Sequence, residues 1–369
     1  MSQTRVLLTG ATGYIGGSVL ATLKKSEHEN IQNAQIDVLI RGEGRRALFD
    51  PFGVQVIPFQ SLDETDFIRK LSSDYDGRDA SSWNQLTSVK IIDPSIVIIN
   101  TASAFHTESA KAMIEGLSDR QSKTGQKTHF IHTSGTSSIG DYPISPTYIE
   151  PNELQDDSNI YEYQSSREAH STYKQRTTDL AVFNTGLETN IKTTIIMAPT
   201  IFGKGTGPAN NLSIQIPALI RRSLEYKQAV VINDGAGEWD HIHISDLTSL
   251  FEIVLFKVRT GEHVPDGKEG LLFAETGRHT WLDISKDIAS VGKELKVLDS
   301  EGVHNVSLDE ATAWSVNGNV QVRELGFASN ARSKAIRGRA LGWTPLREGE
   351  WKNAVEEDFR AILKEENER

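Results

Sequence analysis

Short apolar runs recur along the chain, separated by longer segments with helical periodicity. The runs lack the alternation of apolar and polar residues that marks a half-exposed strand, so each predicts a strand buried on both faces. Strands that alternate with helices indicate an α/β fold, a doubly wound parallel sheet covered by helices. The predicted strands are residues 5–9, 36–40, 54–58, 96–100, 128–133, 192–197 and 229–232.

A glycine-rich loop follows the first predicted strand and precedes a helical pattern. Its glycines have the spacing GxxGxxG, which allows a tight turn and a close approach of backbone amides to phosphate oxygens. The start of the helix adds the positive end of its dipole. The loop therefore predicts a dinucleotide site, although a tight turn without a ligand also explains the glycines. The predicted contacts are Gly10, Thr12, Gly13, Tyr14, Ile15 and Gly16.

The end of the second strand should distinguish NAD from NADP. An acidic residue there binds the ribose hydroxyls of NAD, whereas an arginine accommodates the additional phosphate of NADP. Arg41 occupies this position, and Arg45 and Arg46 follow closely. A guanidinium matches phosphate geometry. We therefore expect NADP, and Glu43 within the same loop keeps NAD as an alternative.

Composition excludes several classes of function. The formal net charge of −11 argues against nucleic-acid binding, and the absence of cysteine excludes thiolate catalysis and zinc–sulfur sites. His241 and His243 share a strand face, but a metal site needs three or more converging ligands, so no metal is expected. With no secretory pattern and no membrane-spanning apolar stretch, we expect a cytoplasmic protein without a membrane partner.

Several segments resemble, in order, those of extended or atypical short-chain dehydrogenases/reductases, the group of nucleotide-sugar epimerases and dihydroflavonol-type reductases. They are TGATGYIG, the Asn100-Thr101-Ala102 turn, THFIHTSGTSSIG, IIMAPTIFG and HIHISDL. The resemblance implies a Rossmann-like sheet and places two further segments beside the coenzyme. The residues concerned are Thr101, Ala102 and Ser103 after the fourth strand, and Pro199, Thr200 and Ile201 beside the nicotinamide.

The resemblance also implies a division of the chain and its partners. The dinucleotide-binding domain is expected to comprise residues 1–202 and 229–267. The smaller substrate-binding lobe is expected to comprise residues 203–228 and 268–369. A small-molecule substrate is implied, together with a homodimer formed through the helix around residues 165–185.

The proton-transfer residues depart from the group's pattern, which is a serine or threonine followed by Tyr-x-x-x-Lys. No Tyr-x-x-x-Lys occurs in the chain, and His170-x-x-x-Lys174 stands in its place within a helical pattern. Residues four apart on a helix share a face. The resemblance then implies that Lys174 binds the nicotinamide ribose, that His170 exchanges the proton, and that Ser134 or Thr136 contacts the reacting oxygen. A surface histidine without a catalytic role is the alternative for His170.

These features predict an NADP-dependent oxidoreductase that transfers hydride to or from a small carbonyl or alcohol substrate. An epimerase or dehydratase that returns the hydride is a variant of the same chemistry. The alternative is an NADP(H)-binding regulatory protein without turnover, similar to NmrA-like proteins, which keep the glycine loop and lack the tyrosine. The retained lysine, the cluster of hydroxyl residues and the C-terminal lobe favour the enzyme.

Overall fold

The computed structural model describes residues 5–75, 96–314 and 318–367. Its strands, numbered in chain order, are β1 Arg5–Thr9, β2 Gln35–Arg41, β3 Gln55–Phe59, β4 Ile96–Asn100, β5 Thr128–Gly135, β6 Leu154–Gln155, β7 Lys192–Ala198, β8 Thr200–Phe202, β9 Ala229–Ile232, β10 Glu238–His243, β11 Leu271–Phe273, β12 Gly277–Thr280, β13 Val303–Val306 and β14 Ser333–Lys334.

The helices alternate with these strands over the first two thirds of the chain. They are α1 Tyr14–Lys24, α2 Glu29–Gln32, α3 Thr65–Asp74, α4 Thr107–Thr124, α5 Ile160–His170, α6 Lys174–Thr189, α7 Gln215–Tyr226, α8 Ile244–Thr260, α9 Trp281–Glu294, α10 Leu308–Thr312, α11 Val320–Phe327, α12 Arg337–Ala340 and α13 Trp351–Asn367. Within the three described ranges, no helix is long and apolar enough to cross a membrane.

A seven-stranded sheet forms the centre of the described chain, in the order β11-β7-β5-β4-β1-β2-β3, and its neighbouring strands are all parallel. The crossovers run outward from β1 in both directions, so right-handed connections place helices on both faces. The residues of β4 are at most 1% exposed, because both of its faces are covered. The predicted doubly wound α/β fold is confirmed.

The seventh strand of this sheet differs from the sequence prediction. Residues 229–232 form β9, which pairs with β13 outside the main sheet, whereas β11 pairs with β7 and completes the main sheet. Both are short apolar runs, and the residues that each strand meets lie far away in sequence. β11 also lies beyond residue 267, where the sequence interpretation begins the substrate lobe. That division of the chain stays a proposal.

β8, β10 and β12, with α7, α9 and α13, form a second group of elements, called here the C-terminal lobe; its assignment to substrate binding stays a proposal. β8, β10 and β12 form a three-stranded sheet, and α13 packs against α7 and α9. β8 follows β7 after the single residue Pro199, so the lobe is connected directly to the carboxyl edge of the main sheet. This edge carries the candidate site.

Candidate functional site

The glycine loop packs closely against the turn that follows β4. Gly10 has a positive φ of 74°, and a Cβ there would lie 2.6 Å from the carbonyl carbon of Thr101. A Cβ on Gly16 would collide with the Thr101 hydroxyl and with the Gly10 carbonyl. Both positions therefore require glycine, and the loop lies directly on the adjoining strand end.

The first turn of α1 has two features of an anion site. Gly13 is its N-cap and supplies no side-chain cap, and the first turn contains no acidic residue. The amides at the start of a helix have no intrahelical partner and carry the positive end of its dipole. Bare amides on a close-packed glycine loop fit a dinucleotide pyrophosphate.

The other predicted loop contacts differ in orientation. The Tyr14 hydroxyl donates to the carbonyls of Phe202 at 3.2 Å and Gly203 at 2.5 Å, so its side chain is directed to the C-terminal lobe. The carbonyl of Thr12 accepts from the Asn210 amide at 3.3 Å. Ile15 is half-buried against the core. The sequence did not reveal that Tyr14 links the loop to the lobe.

The turn after β4 is fixed by hydrogen bonds to β1. The Thr101 hydroxyl donates to the Thr9 carbonyl at 2.6 Å. The amide oxygen of Asn100 accepts from the Thr9 hydroxyl at 2.7 Å and from the Ala102 amide at 3.4 Å. The Ser103 hydroxyl oxygen accepts from the Phe105 amide at 3.1 Å. The predicted residues Thr101, Ala102 and Ser103 therefore lie beside the glycine loop.

The end of β2 presents an exposed arginine. Arg41 is exposed, and the chain turns immediately at Gly42, which has a φ of 66°. Asp37, the acid within β2, is buried and accepts a hydrogen bond from the Tyr75 hydroxyl at 2.5 Å. Burial raises the pKa of Asp37, against the effect of its hydrogen bonds. Arg41 is therefore the exposed charged side chain of β2 at the carboxyl edge of the sheet.

The helix predicted to carry His170 and Lys174 is broken between them. α5 ends at His170 and α6 begins at Lys174, so the prediction of one shared helix face was wrong. The buried Arg176 guanidinium donates to the Ser171 carbonyl at 2.6 Å, and the Glu168 carboxylate accepts from the Tyr173 amide at 3.0 Å. These side chains bind backbone groups that a continuous helix would use. The break also divides the segment 165–185 expected at a dimer interface.

His170 and Lys174 are both exposed and point to different surroundings. The Nδ1 atom of His170 lies 2.8 Å from the Ser166 carbonyl of its own helix. Lys174 is near Asp63, whose pKa is lowered mainly by a hydrogen bond from His106 and to a smaller extent by the charge of Lys174. The predicted roles of His170 in proton exchange and Lys174 at the ribose stay predictions.

The hydroxyls of Ser134 and Thr136 are engaged with protein groups. Ser134 donates to the buried Asp179 carboxyl at 3.0 Å, and Thr136 accepts a hydrogen bond from the Trp239 indole. Burial raises the pKa of Asp179 to about 7. Ser134 and Thr136 therefore line the end of β5 with their hydroxyls already bonded.

A different hydroxyl pair is present in the same turn. Ser137 is half-buried and donates to the side-chain oxygen of Gln175, and the Tyr173 hydroxyl lies 3.2 Å from the Ser137 oxygen. Gln175 fits because Gly135 has no side chain: a Cβ there would lie 3.0 Å from the Gln175 amide nitrogen. Sequence reasoning missed Ser137, Tyr173 and Gln175. The only signal was a tyrosine directly before Lys174.

Tyr173 lies among aromatic and apolar side chains. It is 2% exposed, and burial raises the pKa of its phenol to about 12. Tyr142 and Leu325 pack with it, and Phe105 meets its ring edge-on at 6.0 Å between centroids. A phenol in this environment stays protonated at neutral pH. Tyr173, Ser137 and Gln175 therefore form a chain of hydrogen bonds in which Tyr173 donates to Ser137 and Ser137 donates to Gln175.

The segment beyond β7 completes this edge of the sheet. Ala198 is in register with Gly135, so the buried Pro199 lies beside the hydroxyl turn. Thr200 and Ile201 continue into β8 and pair with β10. The expected role of these three residues beside the nicotinamide stays a prediction.

The histidines of β10 are bonded to protein groups. His241 Nδ1 lies 2.9 Å from His279 Nδ1, and His243 Nδ1 accepts from the Ser245 amide at 3.1 Å. Burial lowers the pKa of His241 to about 4. No group of three or more metal-binding side chains is found in the described parts of the chain.

Comparison with known proteins agrees with this geometry. Residues 100–266 match the NAD dependent epimerase/dehydratase family. Oxidase ucsJ from an Acremonium species is 23% identical over 357 residues, which cover 93% of each chain.

Solved structures with the same fold span almost the whole chain. UDP-glucuronic acid 4-epimerase from Bacillus cereus, in complex with UDP-glucuronic acid and NAD, is 16% identical and covers 98% of this chain and 99% of its own, with a TM-score of 0.58. The dTDP-glucose 4,6-dehydratase DesIV from Streptomyces venezuelae is 15% identical and covers 98% and 97%, with a TM-score of 0.60. The family resemblance is therefore confirmed: residues 100–266 carry the NAD dependent epimerase/dehydratase domain on the fold of the extended short-chain dehydrogenase/reductase epimerases and dehydratases.

Proposed function

We propose that the protein is an NADP-dependent oxidoreductase that reduces a small carbonyl substrate by hydride transfer. The observation that carries this proposal is the contact between Tyr173 and Ser137 at the strand edge that also carries the glycine loop. A binding protein without turnover has no need of two hydroxyl groups placed together at this edge.

The coenzyme would be held by the glycine loop and by the turns after β2, β4 and β7. A reduced nicotinamide supplies the hydride when it is bound. On substrate binding, both hydroxyls would turn from their present acceptors: Tyr173 would donate its proton to the substrate oxygen, and Ser137 would donate a hydrogen bond to the same oxygen. Before substrate binds, Gln175 holds the Ser137 hydroxyl in place by accepting its proton. In this proposal, Tyr173 and Ser137 take the roles that sequence reasoning assigned to His170 and to Ser134 or Thr136.

The environment of Tyr173 favours reduction as the direction of reaction. With its pKa raised to about 12, the phenol is a proton donor at neutral pH and a poor base. Oxidation of an alcohol, which is also the first step of an epimerase or dehydratase, needs a base. Net carbonyl reduction is therefore the form of the chemistry that these residues support best.

Arg41 supports NADP as the preferred coenzyme. It is exposed at the end of β2, where a ribose phosphate would lie, and Asp37 of the same strand is buried. NAD is present in the epimerase and dehydratase structures that share this fold, and it stays the alternative coenzyme.

The test of the proposal is net consumption of NADPH over a panel of neutral aldehydes and ketones. We expect turnover with at least one compound and a faster reaction with NADPH than with NADH. Tight NADPH binding without turnover on any compound would instead support the regulatory alternative. Interconversion of sugar epimers without net consumption would support an epimerase.

A further inference from the structure

We propose that the substrate is an uncharged compound whose carbonyl is attached to a flat aromatic or conjugated group, and that Phe105 binds this group. The inference rests on the proposed function, because it takes the Ser137–Tyr173 pair as the point of reaction. It distinguishes this chain from the epimerase of the same fold that is in complex with UDP-glucuronic acid.

Phe105 offers an accessible aromatic ring next to the reacting hydroxyls. Its side chain is 36% exposed, and its ring stands at 89° to the ring of Tyr173, with 6.0 Å between centroids. It follows Ser103 in the turn that lies against the glycine loop. Aromatic rings prefer edge-to-face or offset stacking with one another. A planar group on the substrate can therefore contact Phe105 while its carbonyl reaches Tyr173.

The loop that carries Phe105 is held in place on both sides. The Ser103 hydroxyl oxygen accepts from the Phe105 amide at 3.1 Å. His106 caps α4 by accepting from the Ser109 amide at 3.2 Å, and its other ring nitrogen lies 3.0 Å from the Asp63 carboxylate. The ring is therefore presented by a fixed segment of backbone.

The guanidinium of Arg176, three residues after Tyr173, is enclosed by the protein. Arg176 is fully buried and donates to the Glu168 carboxylate at 3.0 Å, the Ser138 carbonyl at 2.9 Å and the Ser171 carbonyl at 2.6 Å. A diphosphate is bound best by a guanidinium with free donors. Three of the five N–H donors of Arg176 are bonded to these groups, and its full burial keeps the guanidinium from a substrate.

Arg167 and Lys174 are no better placed for a substrate anion. Arg167 donates to the Tyr163 hydroxyl at 2.6 Å and to the Gly140 carbonyl at 2.9 Å, and its guanidinium covers the Tyr148 ring at 3.6 Å. Lys174 is near Asp63, on the side of the β3–α3 loop. Neither guanidinium is therefore available to a substrate diphosphate, and the expected ligand of the exposed Lys174 is the nicotinamide ribose.

The wall opposite Phe105 is also neutral where it meets Tyr173. Tyr142 and Leu325 pack with Tyr173, and the Gln321 amide donates to the Tyr142 hydroxyl at 2.8 Å and the Thr172 carbonyl at 2.9 Å. α11 is thereby attached to the segment that carries Tyr173. Neutral aromatic, amide and aliphatic groups suit an apolar substrate.

The test uses the full-length protein with NADPH and two neutral ketones, acetophenone and butan-2-one. We expect Phe105→Ala to raise the KM for acetophenone by at least about tenfold and to change kcat/KM for butan-2-one by less than about threefold. Phe67→Ala, at a side chain that is 37% exposed on α3, is the matched control and should change neither value. Equal effects of Phe105→Ala on both ketones would overturn the inference.

Binding distinguishes a failure of this inference from a failure of the proposed function. Saturation-transfer NMR of acetophenone with the NADP⁺-loaded protein should show contact in wild type and a loss of contact in Phe105→Ala, whether or not turnover occurs. Binding of UDP or UDP-glucose to the same complex in competition with acetophenone would overturn the proposed substrate class. Absence of any acetophenone contact would overturn it as well.

Discussion

The phenol oxygen of Tyr173 lies 3.2 Å from the hydroxyl oxygen of Ser137, and the residue four positions after Tyr173 is Thr177, not lysine. The side chain beside this pair is the neutral amide of Gln175, which accepts the Ser137 proton. Burial raises the pKa of the Tyr173 phenol to about 12, against the charge of Arg176, so the phenol stays protonated at neutral pH. This arrangement gives the site a proton donor and determines how its activity should vary with pH.

Removing the phenol oxygen should remove most of the activity. Tyr173→Phe keeps the ring packing against Phe105 and deletes the proton donor, so we expect kcat to fall by about 10²–10⁴-fold. NADPH affinity, measured by nicotinamide fluorescence, should change little, because Tyr173 is assigned to the substrate oxygen. His170→Ala is the control and should retain kcat. If Tyr173→Phe kept its kcat and His170→Ala lost it, His170 would be the proton-transfer residue.

The pH dependence of reduction should reflect the raised pKa of Tyr173. Because the protonated phenol is the donor, activity is present below its pKa of about 12 and is lost as the pH rises through that value. We therefore expect that ionisation of Tyr173 causes no decrease in kcat/KM up to about pH 10. A decrease in wild-type kcat/KM with a midpoint well below pH 10, absent from Tyr173→Phe, would contradict the raised pKa of Tyr173.

A lysine at position 175 should lower the pKa of this phenol. Gln175→Lys places a cation beside Tyr173, which favours the phenolate. The alkaline limb should then move to lower pH, and alcohol oxidation should gain relative to carbonyl reduction. Gln175→Met is the neutral control and should leave the position of the limb unchanged. An equal shift in both variants would indicate a packing effect in place of a charge effect.

Coenzyme preference should depend on Arg41. Loss of a charge-assisted contact to the ribose phosphate should weaken NADPH binding in Arg41→Ala by roughly 10–100-fold and leave NADH binding nearly unchanged. Arg360→Ala, on the exposed face of α13, serves as the control. Dissociation constants from fluorescence titration measure the effect. Equal losses for the two coenzymes would argue for NAD or for a structural role of Arg41.

The stability of the fold should depend on Asp358. This side chain of α13 is 2% exposed, and its Oδ2 atom has no hydrogen-bond partner among the described residues. Burial raises its pKa to about 7, the charge of Glu357 raises it further, and Arg221 opposes the shift. The folded protein therefore binds a proton that the unfolded chain releases, and this contribution to stability is lost as the pH rises from about 4 to about 7.

Replacing this carboxyl by an amide should remove that loss. We expect Asp358→Asn to have a higher Tm than wild type at pH 8 and a smaller difference from wild type at pH 5.5. Glu366→Gln, at an exposed position on the same helix, should show no such pattern. A Tm for Asp358→Asn below that of wild type at pH 8 would show that the charged carboxylate is stabilised in the fold.

The sheet was largely predictable, because runs such as IVII at residues 96–99 are apolar without alternation and are therefore expected to be buried on both faces. The glycine loop was predictable from the spacing of its glycines. The choice between residues 229–232 and 271–273 for the seventh strand depends on distant pairing, which no local pattern reveals. At the break before Lys174, the buried Arg176 binds the carbonyl of Ser171 and the Tyr173 hydroxyl binds Ser137; neither contact can be read from a local pattern.

The most direct test of the account is coenzyme binding to two variants of Gly13. Gly13 is the N-cap of α1, with a φ of −88° that other residues adopt, and aspartate is a favoured N-cap. Gly13→Asp should therefore fold while its carboxylate occupies the amides meant for the pyrophosphate; Gly13→Ala adds the same Cβ without the charge. Titration of nicotinamide fluorescence should show saturable NADPH binding to wild type, a moderate loss in Gly13→Ala and a loss of more than about 100-fold in Gly13→Asp. Undiminished binding to folded Gly13→Asp, or no binding to wild type, would contradict the account.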